Sequence, residues 1–178
     1  MAILPVLEIP NPILLQKAEP VSEVTEEIKQ LLSEMLETMY ATHGVGLAGN
    51  QVGVLKRVVV LDCSDKEEEP DPIKMVNPKI IWKSEEMICH NEGCLSIPRQ
   101  YADVTRHAEV EVEYTDENGE IKRRRTGGLL AIGIQHELDH LEGILFIDYV
   151  SPMKRKMMLK RLEKNRKRAA EAAALEAK

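Results

Sequence analysis

Aromatic residues and cysteine are scarce in this sequence. Only 3% of its 178 residues are aromatic, whereas 43% are hydrophobic, so the core must consist mainly of Leu, Ile, Val and Met. The length predicts a single compact domain. The three cysteines, Cys63, Cys89 and Cys94, are an odd number without the spacing of a disulfide framework. They indicate a reducing compartment.

Long apolar segments and a targeting sequence are also lacking. No run approaches the roughly 18 to 20 apolar residues that a membrane-spanning helix needs. No basic residue precedes the apolar residues at the N-terminus, since the first one is Lys17, and this argues against a signal or transit peptide. We therefore expect a soluble, cytoplasmic protein with no membrane partner.

The spacing of hydrophobic residues predicts the main elements of secondary structure. Apolar residues three and four positions apart indicate an amphipathic helix over residues 25–42, with Ser22 or Thr25 as a cap. The other predicted elements are strands over 57–61 and 75–82, a hairpin over 109–114 and 121–125, and a second helix over 127–143.

The segment Gln135–His140 in the second predicted helix has the pattern of a metal site. His136 and His140 are four positions apart and share one face of a helix, so both imidazoles can bind the same ion. Glu137 lies beside them, where a general base acting on metal-bound water is found. The pattern favours a metal-dependent hydrolase over an ordinary solvated helix. A third protein ligand is still needed.

A glycine-rich segment, Gly44–Gly53, contains four glycines in ten residues. Such a backbone can turn sharply and approach a ligand closely. A phosphate-binding loop is one interpretation, but the Gly-Lys-Ser/Thr ending of such loops is missing. An ordinary surface loop is the alternative.

Cys94 lies in the segment Glu92–Pro98, and a lone cysteine of this kind is usually a small buried apolar residue. Its context nevertheless forms part of a larger pattern. The segments Gly44–Gln51, Glu92–Ser96 and Gln135–His140 resemble the three signatures of the bacterial-type peptide deformylases, in that family's order. The resemblance spans most of the chain.

The resemblance implies that Cys94, His136 and His140 are the metal ligands. An open fourth position is what a catalytic metal site requires. The resemblance also implies Fe(II) as the native ion, with Zn(II), Ni(II) or Co(II) able to occupy the site. A thiolate with two imidazoles binds several of these ions, so the ligands do not select the metal by themselves.

Further residues take their expected roles from the same resemblance. Glu137 is expected to accept a proton from the attacking water and to deliver it to the departing amine. The Gln51 side-chain amide and the Leu95 backbone N–H are expected to stabilise the oxyanion. The positions expected to bind the peptide as an added strand are Val45, Gly46 and Gly93.

The implied reaction is removal of the formyl group from the N-terminal formyl-Met of nascent polypeptides, with release of formate. The implied fold is α+β, with small antiparallel β-sheets surrounding a central metal-binding helix and with a C-terminal helix. The expected domain division is a catalytic domain over residues 1–152 and a basic tail over 153–178.

The charge of the tail differs in sign from that of the rest of the chain. Residues 153–178 contain ten basic and three acidic residues, a charge of +7, so the other residues carry −13 of the total of −6. This asymmetry predicts a polyanionic partner. The family's use of its C-terminal helix suggests docking on ribosomal RNA. A solvated helix with a partly docked apolar face is the alternative.

Three positions depart from the family pattern. Gly49 replaces a common Ala, and we expect the missing methyl group to loosen the loop. Tyr101 replaces a frequent Arg, which affects contacts with the peptide beyond Met. Gly133 replaces a bulkier small residue inside the metal-binding helix, which indicates that something packs closely there.

Several other polar residues lie near these motifs. Asp139 and Glu92 are candidates for supporting the metal ligands, as partners that fix an imidazole tautomer, or are ordinary solvated carboxylates. His43, His90 and His107 have no arranged partners in the sequence, and we predict that they are not functional.

Two other functions fit part of the pattern. A zinc endopeptidase would use the two histidines and Glu137 without needing Cys94. A metal-stabilised RNA-binding module would depend on the basic tail alone and would not need Glu137.

Overall fold

The fold is that of a computed structural model, which describes residues 2–65 and 67–178. Its helices are α1 (Glu26–Ala41), α2 (Gly128–Leu141) and α3 (Pro152–Glu176). Its strands are β1 (Gly46–Ala48), β2 (Val58–Leu61), β3 (Ile73–Lys83), β4 (Met87–Cys94), β5 (Ile97–His107), β6 (Glu109–Thr115) and β7 (Ile121–Gly127). Short 3-10 turns lie at Pro12–Leu15, Gly49–Val52 and Phe146–Tyr149.

The strands form two antiparallel sheets around α2. The larger sheet has the order β1-β2-β3-β6-β7, and the smaller sheet consists of β4 and β5. Helix α2 contacts β1, β2 and β7 of the larger sheet and β5 of the smaller one. The predicted α+β fold, with small antiparallel sheets around a central helix and with a C-terminal helix, is confirmed.

Most of the predicted elements are present with small shifts at their ends. Helix α1 begins after Thr25, whose hydroxyl accepts a hydrogen bond from the Ile28 N–H at 3.4 Å, so Thr25 and not Ser22 is its cap. The predicted hairpin is β6–β7. The hairpin β4–β5 was not predicted, because β4 exposes most of its side chains and has no apolar alternation.

The core consists of three clusters of aliphatic side chains and methionines. One cluster joins α2 to the larger sheet, and a second joins α1 to β1 and β2. In the third, Met158 and Leu162 of α3 pack with Ile97 and Phe146. Within the described part of the chain, no helix is both long and apolar enough to cross a bilayer.

Candidate active site

The side chains of Cys94, His136 and His140 converge at the centre of the molecule. Cys94 ends strand β4, and the two histidines lie one turn apart on α2. One potential ligand atom from each lies within 4.8 Å of the others, and the Cys94 Sγ is 3.3 Å from the His140 Nε2. A sulfur and two ring nitrogens at this spacing match the donor set of a divalent transition metal.

Buried hydrogen bonds hold α2 and its first histidine in place. Gln135 binds the backbone of His107 on β5 twice: its Oε1 accepts from the His107 N–H at 3.0 Å, and its Nε2 donates to the His107 carbonyl at 2.9 Å. The His136 Nδ1 lies 2.8 Å from a Glu92 carboxylate oxygen. The Nδ1 therefore donates to Glu92, and the Nε2 is the nitrogen left to bind a metal.

Glu92 is part of a buried ionic network. Arg106 donates to both of its carboxylate oxygens, at 2.6 and 2.9 Å, and also to Asp139 at 2.9 Å. The Tyr149 hydroxyl donates to the same Asp139 oxygen at 2.7 Å. Burial alone would raise the pKa of Glu92, but hydrogen bonds from His136 and Arg106 outweigh it and hold that pKa below its usual value.

Asp139 lies one step further from the metal ligands than Glu92 does. Its carboxylate accepts a hydrogen bond from Arg106, which in turn contacts Glu92, and another from the Tyr149 hydroxyl near the surface. Glu92 is thus in direct contact with an imidazole, whereas Asp139 acts on it only through the guanidinium of Arg106.

Glu137 is a buried carboxylate beside the three converging residues. Burial raises its pKa to about 7, against the lowering effects of His136 and Arg106. Its Oε2 has no hydrogen-bond partner among the described residues. A Cβ on Gly46 would lie only 2.5 Å from the Glu137 Oε1, so a glycine is required at that position. A buried carboxyl group that titrates near neutral pH is suited to proton transfer.

The Gln51 side chain has a fixed orientation. Its Oε1 accepts a hydrogen bond from the Ala48 N–H at 2.9 Å. Its Nε2 therefore points the other way, 3.2 Å from the Ser96 Oγ and 3.5 Å from the Cys94 Sγ. Leu95 lies in the turn that joins β4 to β5, directly after Cys94. The two residues expected to stabilise an oxyanion therefore flank the candidate metal ligands.

These groups line a cleft of about 490 Å³. Its walls include the free edges of two sheets, because in the described part of the chain β1 pairs only with β2, and β4 only with β5. The Val45 carbonyl accepts a hydrogen bond from the Asp62 N–H at 2.9 Å, so the backbone at that position faces β2. Positions alternate along an antiparallel strand, and the backbone of Gly46 therefore faces the cleft.

The cleft brings together predicted site residues that are far apart in the sequence. All nine residues expected to act on the substrate or the metal lie at or beside it, and all except His140 line it directly: Val45, Gly46, Gln51, Gly93, Cys94, Leu95, His136 and Glu137. Two of the remaining histidines, His43 and His90, line it as well. His107, although predicted to lack partners, lies 2.7 Å from the Ser84 carbonyl through its Nδ1.

The structure explains two of the three positions at which this chain departs from the family pattern. A Cβ on Gly49 would lie 2.7 Å from the carbonyl oxygens of both Val54 and Lys56. The expected loosening of the loop is therefore wrong, because the neighbouring backbone already occupies the space of the methyl group. A Cβ on Gly133 would lie 3.2 Å from a methyl group of Leu61, which confirms the close packing.

Arg106 and Ser96 were not among the residues identified from the sequence. Arg106 follows Ala102 and Val104 at alternate positions of β5, and all three are buried. A charged residue in the inward series of a strand is a signal for a buried ion pair. Ser96 is part of the second signature, but nothing in its spacing indicates a contact with Gln51.

Comparisons with known proteins agree with these motifs. A family model described as polypeptide deformylase matches residues 3–156. A peptide deformylase of Phenylobacterium zucineum is 46% identical over 95% of this chain and 100% of its own length. One of Rhizorhabdus wittichii is 49% identical over 97% of this chain and 100% of its own.

Solved structures extend the agreement to the fold. The crystal structure of peptide deformylase from Ehrlichia chaffeensis matches with a TM-score of 0.91 and 34% identity, covering 95% of this chain and 99% of that one. The same protein in complex with actinonin matches with a TM-score of 0.89 and 36% identity, covering 93% and 98%. By sequence, by fold and by its three signatures, this chain belongs to the peptide deformylase family.

Proposed function

We propose that this protein hydrolyses the formyl group from the N-terminal formyl-Met of nascent polypeptides and releases formate. The observation that carries the proposal is the convergence of Cys94, His136 and His140 beside Glu137 in the cleft. We further propose that Fe(II) is the ion held in the cell and that Zn(II), Ni(II) or Co(II) can replace it. The mixed sulfur and nitrogen donors suit all four ions.

In this proposal Glu137 transfers the proton. A divalent ion in the site would supply Lewis acidity and lower the pKa of a nearby water molecule. The Glu137 carboxylate accepts a proton from the water as its oxygen bonds to the formyl carbon, and it then gives that proton to the departing amine nitrogen as the C–N bond breaks. The products are formic acid, which loses its proton to solvent and becomes formate, and a peptide with a free amino group on Met.

Gln51 and Leu95 are the proposed donors to the oxyanion. The bond from the Ala48 N–H holds the Gln51 amide with its N–H groups toward Cys94. Because this orientation exists before the substrate arrives, the donor needs no rearrangement when charge develops on the formyl oxygen. The Leu95 N–H lies next to Cys94 in the chain and is the second proposed donor.

The free edges of β1 and β4 are the proposed binding surface for the peptide. An extended peptide between them would pair with the backbones of Gly46 and Gly93. The carbonyl of Val45 is already bonded to Asp62, so we assign its contribution to its side chain, which is 47% exposed and lines the cleft.

A formate-release assay tests the proposed activity. The purified protein, loaded anaerobically with Fe(II), Ni(II) or Co(II), should release formate from formyl-Met-Ala-Ser. A zinc endopeptidase would instead cleave internal peptide bonds of substrates without a formyl group, and it would keep its activity after Cys94→Ala. We expect that variant to lose both bound metal and formate release. Absence of formate with all three ions would contradict the proposal.

We also propose that α3 docks on ribosomal RNA and that the enzyme acts in the cytoplasm. Most of the cationic side chains of α3 are exposed, whereas Met158 and Leu162 anchor the helix in the core. Lys156, Lys160 and Lys164 form no ion pair with any described carboxylate. Contacts of these cations with phosphates would make the affinity fall steeply with salt.

Charge removal tests the docking better than deletion of the tail, because deletion would also remove Met158 and Leu162 from the core. The triple replacement of Lys156, Lys160 and Lys164 by Gln should weaken ribosome binding and reduce the salt dependence of that binding. It should leave the kinetics with small peptides unchanged. Changing Lys56, Lys79 and Lys83, which are exposed on the body of the protein, is the matched control. Equal effects of the two triple variants would contradict docking through α3.

The alternative of an RNA-binding module without enzymatic activity makes a different prediction. Such a module would keep all of its function after Glu137→Ala.

A further inference from the structure

The hairpin β4–β5 contains an irregularity at the edge of the cleft. Gly93 pairs with Tyr101 and Cys94 pairs with Ile97, so Pro98, Arg99 and Gln100 have no opposite residues on β4. Bulges of this kind occur next to active sites, where they turn a side chain toward a new direction.

Arg99 lies in the middle of this bulge with an unusual backbone conformation. Its φ is +60°, in the left-handed region that a long side chain rarely adopts. Gln100, the next residue, is buried, whereas the side chain of Arg99 is exposed and lines the cleft. The bulge therefore directs a cation, at some backbone strain, to the place where the substrate is expected.

The charge of Arg99 is not neutralised by its surroundings. Its guanidinium forms no ion pair with any carboxylate in residues 2–65 and 67–178. The carboxylates that line the cleft are Glu92 and Glu137, both of which are buried. Among the described residues lining the cleft, Arg99 is thus the exposed side chain that carries a full charge.

Tyr101 links this cation to the proposed path of the peptide. Its ring covers Gly93, because a Cβ on Gly93 would lie 2.5 Å from the Tyr101 Cε1. Arg99 lines the same cleft as Gly93 and Tyr101, so a peptide that pairs with the Gly93 backbone would lie beside the ring and near the bulge. A side chain of the substrate can meet the guanidinium there without entering the buried part of the site.

We infer that Arg99, held over the cleft by the bulge at residues 98–100, makes the enzyme favour nascent peptides with an acidic side chain shortly after the formyl-Met. This inference rests on the proposed deformylase function. Arg99 does not take part in the chemistry, and it selects among substrates through charge. Because the ion pair is exposed to solvent, we expect a preference of about twofold to fivefold for an acidic over a neutral residue.

The test compares formyl-Met peptides that differ in one residue. Asp, Asn or Lys is placed at the second, third or fourth position, and the C-terminus is amidated so that it carries no charge. At one or more of these positions kcat/KM should rank Asp above Asn above Lys, with most of the difference in KM. In about 0.5 M NaCl, where the Debye length is about 4 Å, the ranking should flatten.

Three variants separate charge from structure. Arg99→Lys should keep the ranking, Arg99→Gln should abolish it, and Arg99→Glu should reverse it. Arg123→Gln is the control, since Arg123 is exposed on β7 and pairs with Glu113 outside the cleft. A ranking that is absent in the parent, or that persists in Arg99→Gln, would overturn the inference. The neutral Asn peptides distinguish a failure of this inference from a failure of the proposed function. If the protein were not a deformylase, all of the formyl-Met peptides would remain uncleaved.

Discussion

Glu137 is the residue on which the proposed chemistry depends most directly. Replacing it by Gln keeps the shape of the side chain but removes the basic oxygen. We expect kcat for formate release to fall by about 10² to 10⁴, as is usual for loss of a general base. Metal content, measured by elemental analysis, should stay the same because Glu137 is not one of the three converging ligands.

Glu142→Gln is the matched control for this prediction. Glu142 also lies at the end of α2, but it pairs with Lys17 and Arg57 on the surface. Its replacement should leave kcat unchanged. A loss of metal from Glu137→Gln, in proportion to the loss of turnover, would show that Glu137 holds the ion and does not transfer the proton.

Arg106 is predicted to be essential for stability. Its guanidinium is 5% exposed and neutralises both Glu92 and Asp139. Arg106→Met leaves these carboxylates without their cation, and such a loss destabilises a protein by about 3 to 5 kcal/mol. Urea denaturation of the metal-loaded protein measures the change. Arg123→Met, at a side chain that is 66% exposed, should change the free energy of unfolding by less than about 0.5 kcal/mol. Similar values for both variants would contradict the prediction.

The sequence predicted the proposed reactive residues more completely than the residues that hold them in place. His136, Glu137 and His140 follow from their spacing on one helix, and the family resemblance adds Cys94 and Gln51. The alternation of β5 marks Arg106 as a buried charge, but its partners, Glu92 and Asp139, lie 14 and 33 positions away. Nothing in the spacing of these residues along the chain indicates which carboxylates pair with it.

The spacing of apolar residues predicted the helices and strands that have one clearly apolar face. Helices α1 and α2 and hairpin β6–β7 belong to this group. Hairpin β4–β5 does not, because β4 exposes Met87 to Asn91 in succession. Its pairing is set by backbone hydrogen bonds with β5 and by the ionic network behind Glu92, and hydrophobic patterns contain no record of either.

Gly49 lies in the 3-10 turn that carries Gln51, and its replacement tests whether this turn can accept a side chain. The family resemblance suggests that Ala would fit there, but its Cβ would lie 2.7 Å from two carbonyl oxygens of residues 54 and 56. Backbone atoms cannot rotate away, so we expect Gly49→Ala to destabilise the protein by about 1 to 3 kcal/mol. The midpoint of urea denaturation measures this change.

Gly127→Ala is the control for Gly49→Ala. A Cβ on Gly127 would be at ordinary contact distance, 3.4 Å from Glu109, and its φ of −124° suits any residue. We expect its effect to be within about 1 kcal/mol of zero. If Gly49→Ala proves as stable as Gly127→Ala, then the turn adapts to the methyl group.

In the whole molecule, a metal ion would add one more link between the smaller sheet and α2, which already contact each other through Glu92, Arg106 and Gln135. Cys94 belongs to the smaller sheet and the two histidines to α2, which packs on the larger sheet. Ions that bind only the folded state stabilise it by about 2.7 kcal/mol at a hundred times Kd. For a protein of this size we expect chelation to lower Tm by about 5 to 10 °C.

Differential scanning calorimetry, with and without a chelator, measures this shift. The Cys94→Ala variant is the control, since a site without its thiolate should show a much smaller response. An equal shift in the parent and in this variant would mean that the chelator acts elsewhere. The α+β class was predictable from the motifs, but the way in which the two sheets enclose α2 depends on contacts between distant segments.

The anchoring of α3 has a consequence for the order of events during synthesis of the chain. The cluster behind Cys94 includes Leu14 near the beginning of the chain and Leu162 near its end. A growing polypeptide can form β4–β5 and α2 earlier, but the packing that supports the Cys94 thiol waits until Met158 and Leu162 have emerged. Contacts of such high sequence separation form late in folding. We therefore expect the packing behind Cys94 to be completed only after Leu162 has been synthesised, and a fragment that ends before α3 to bind the ion more weakly.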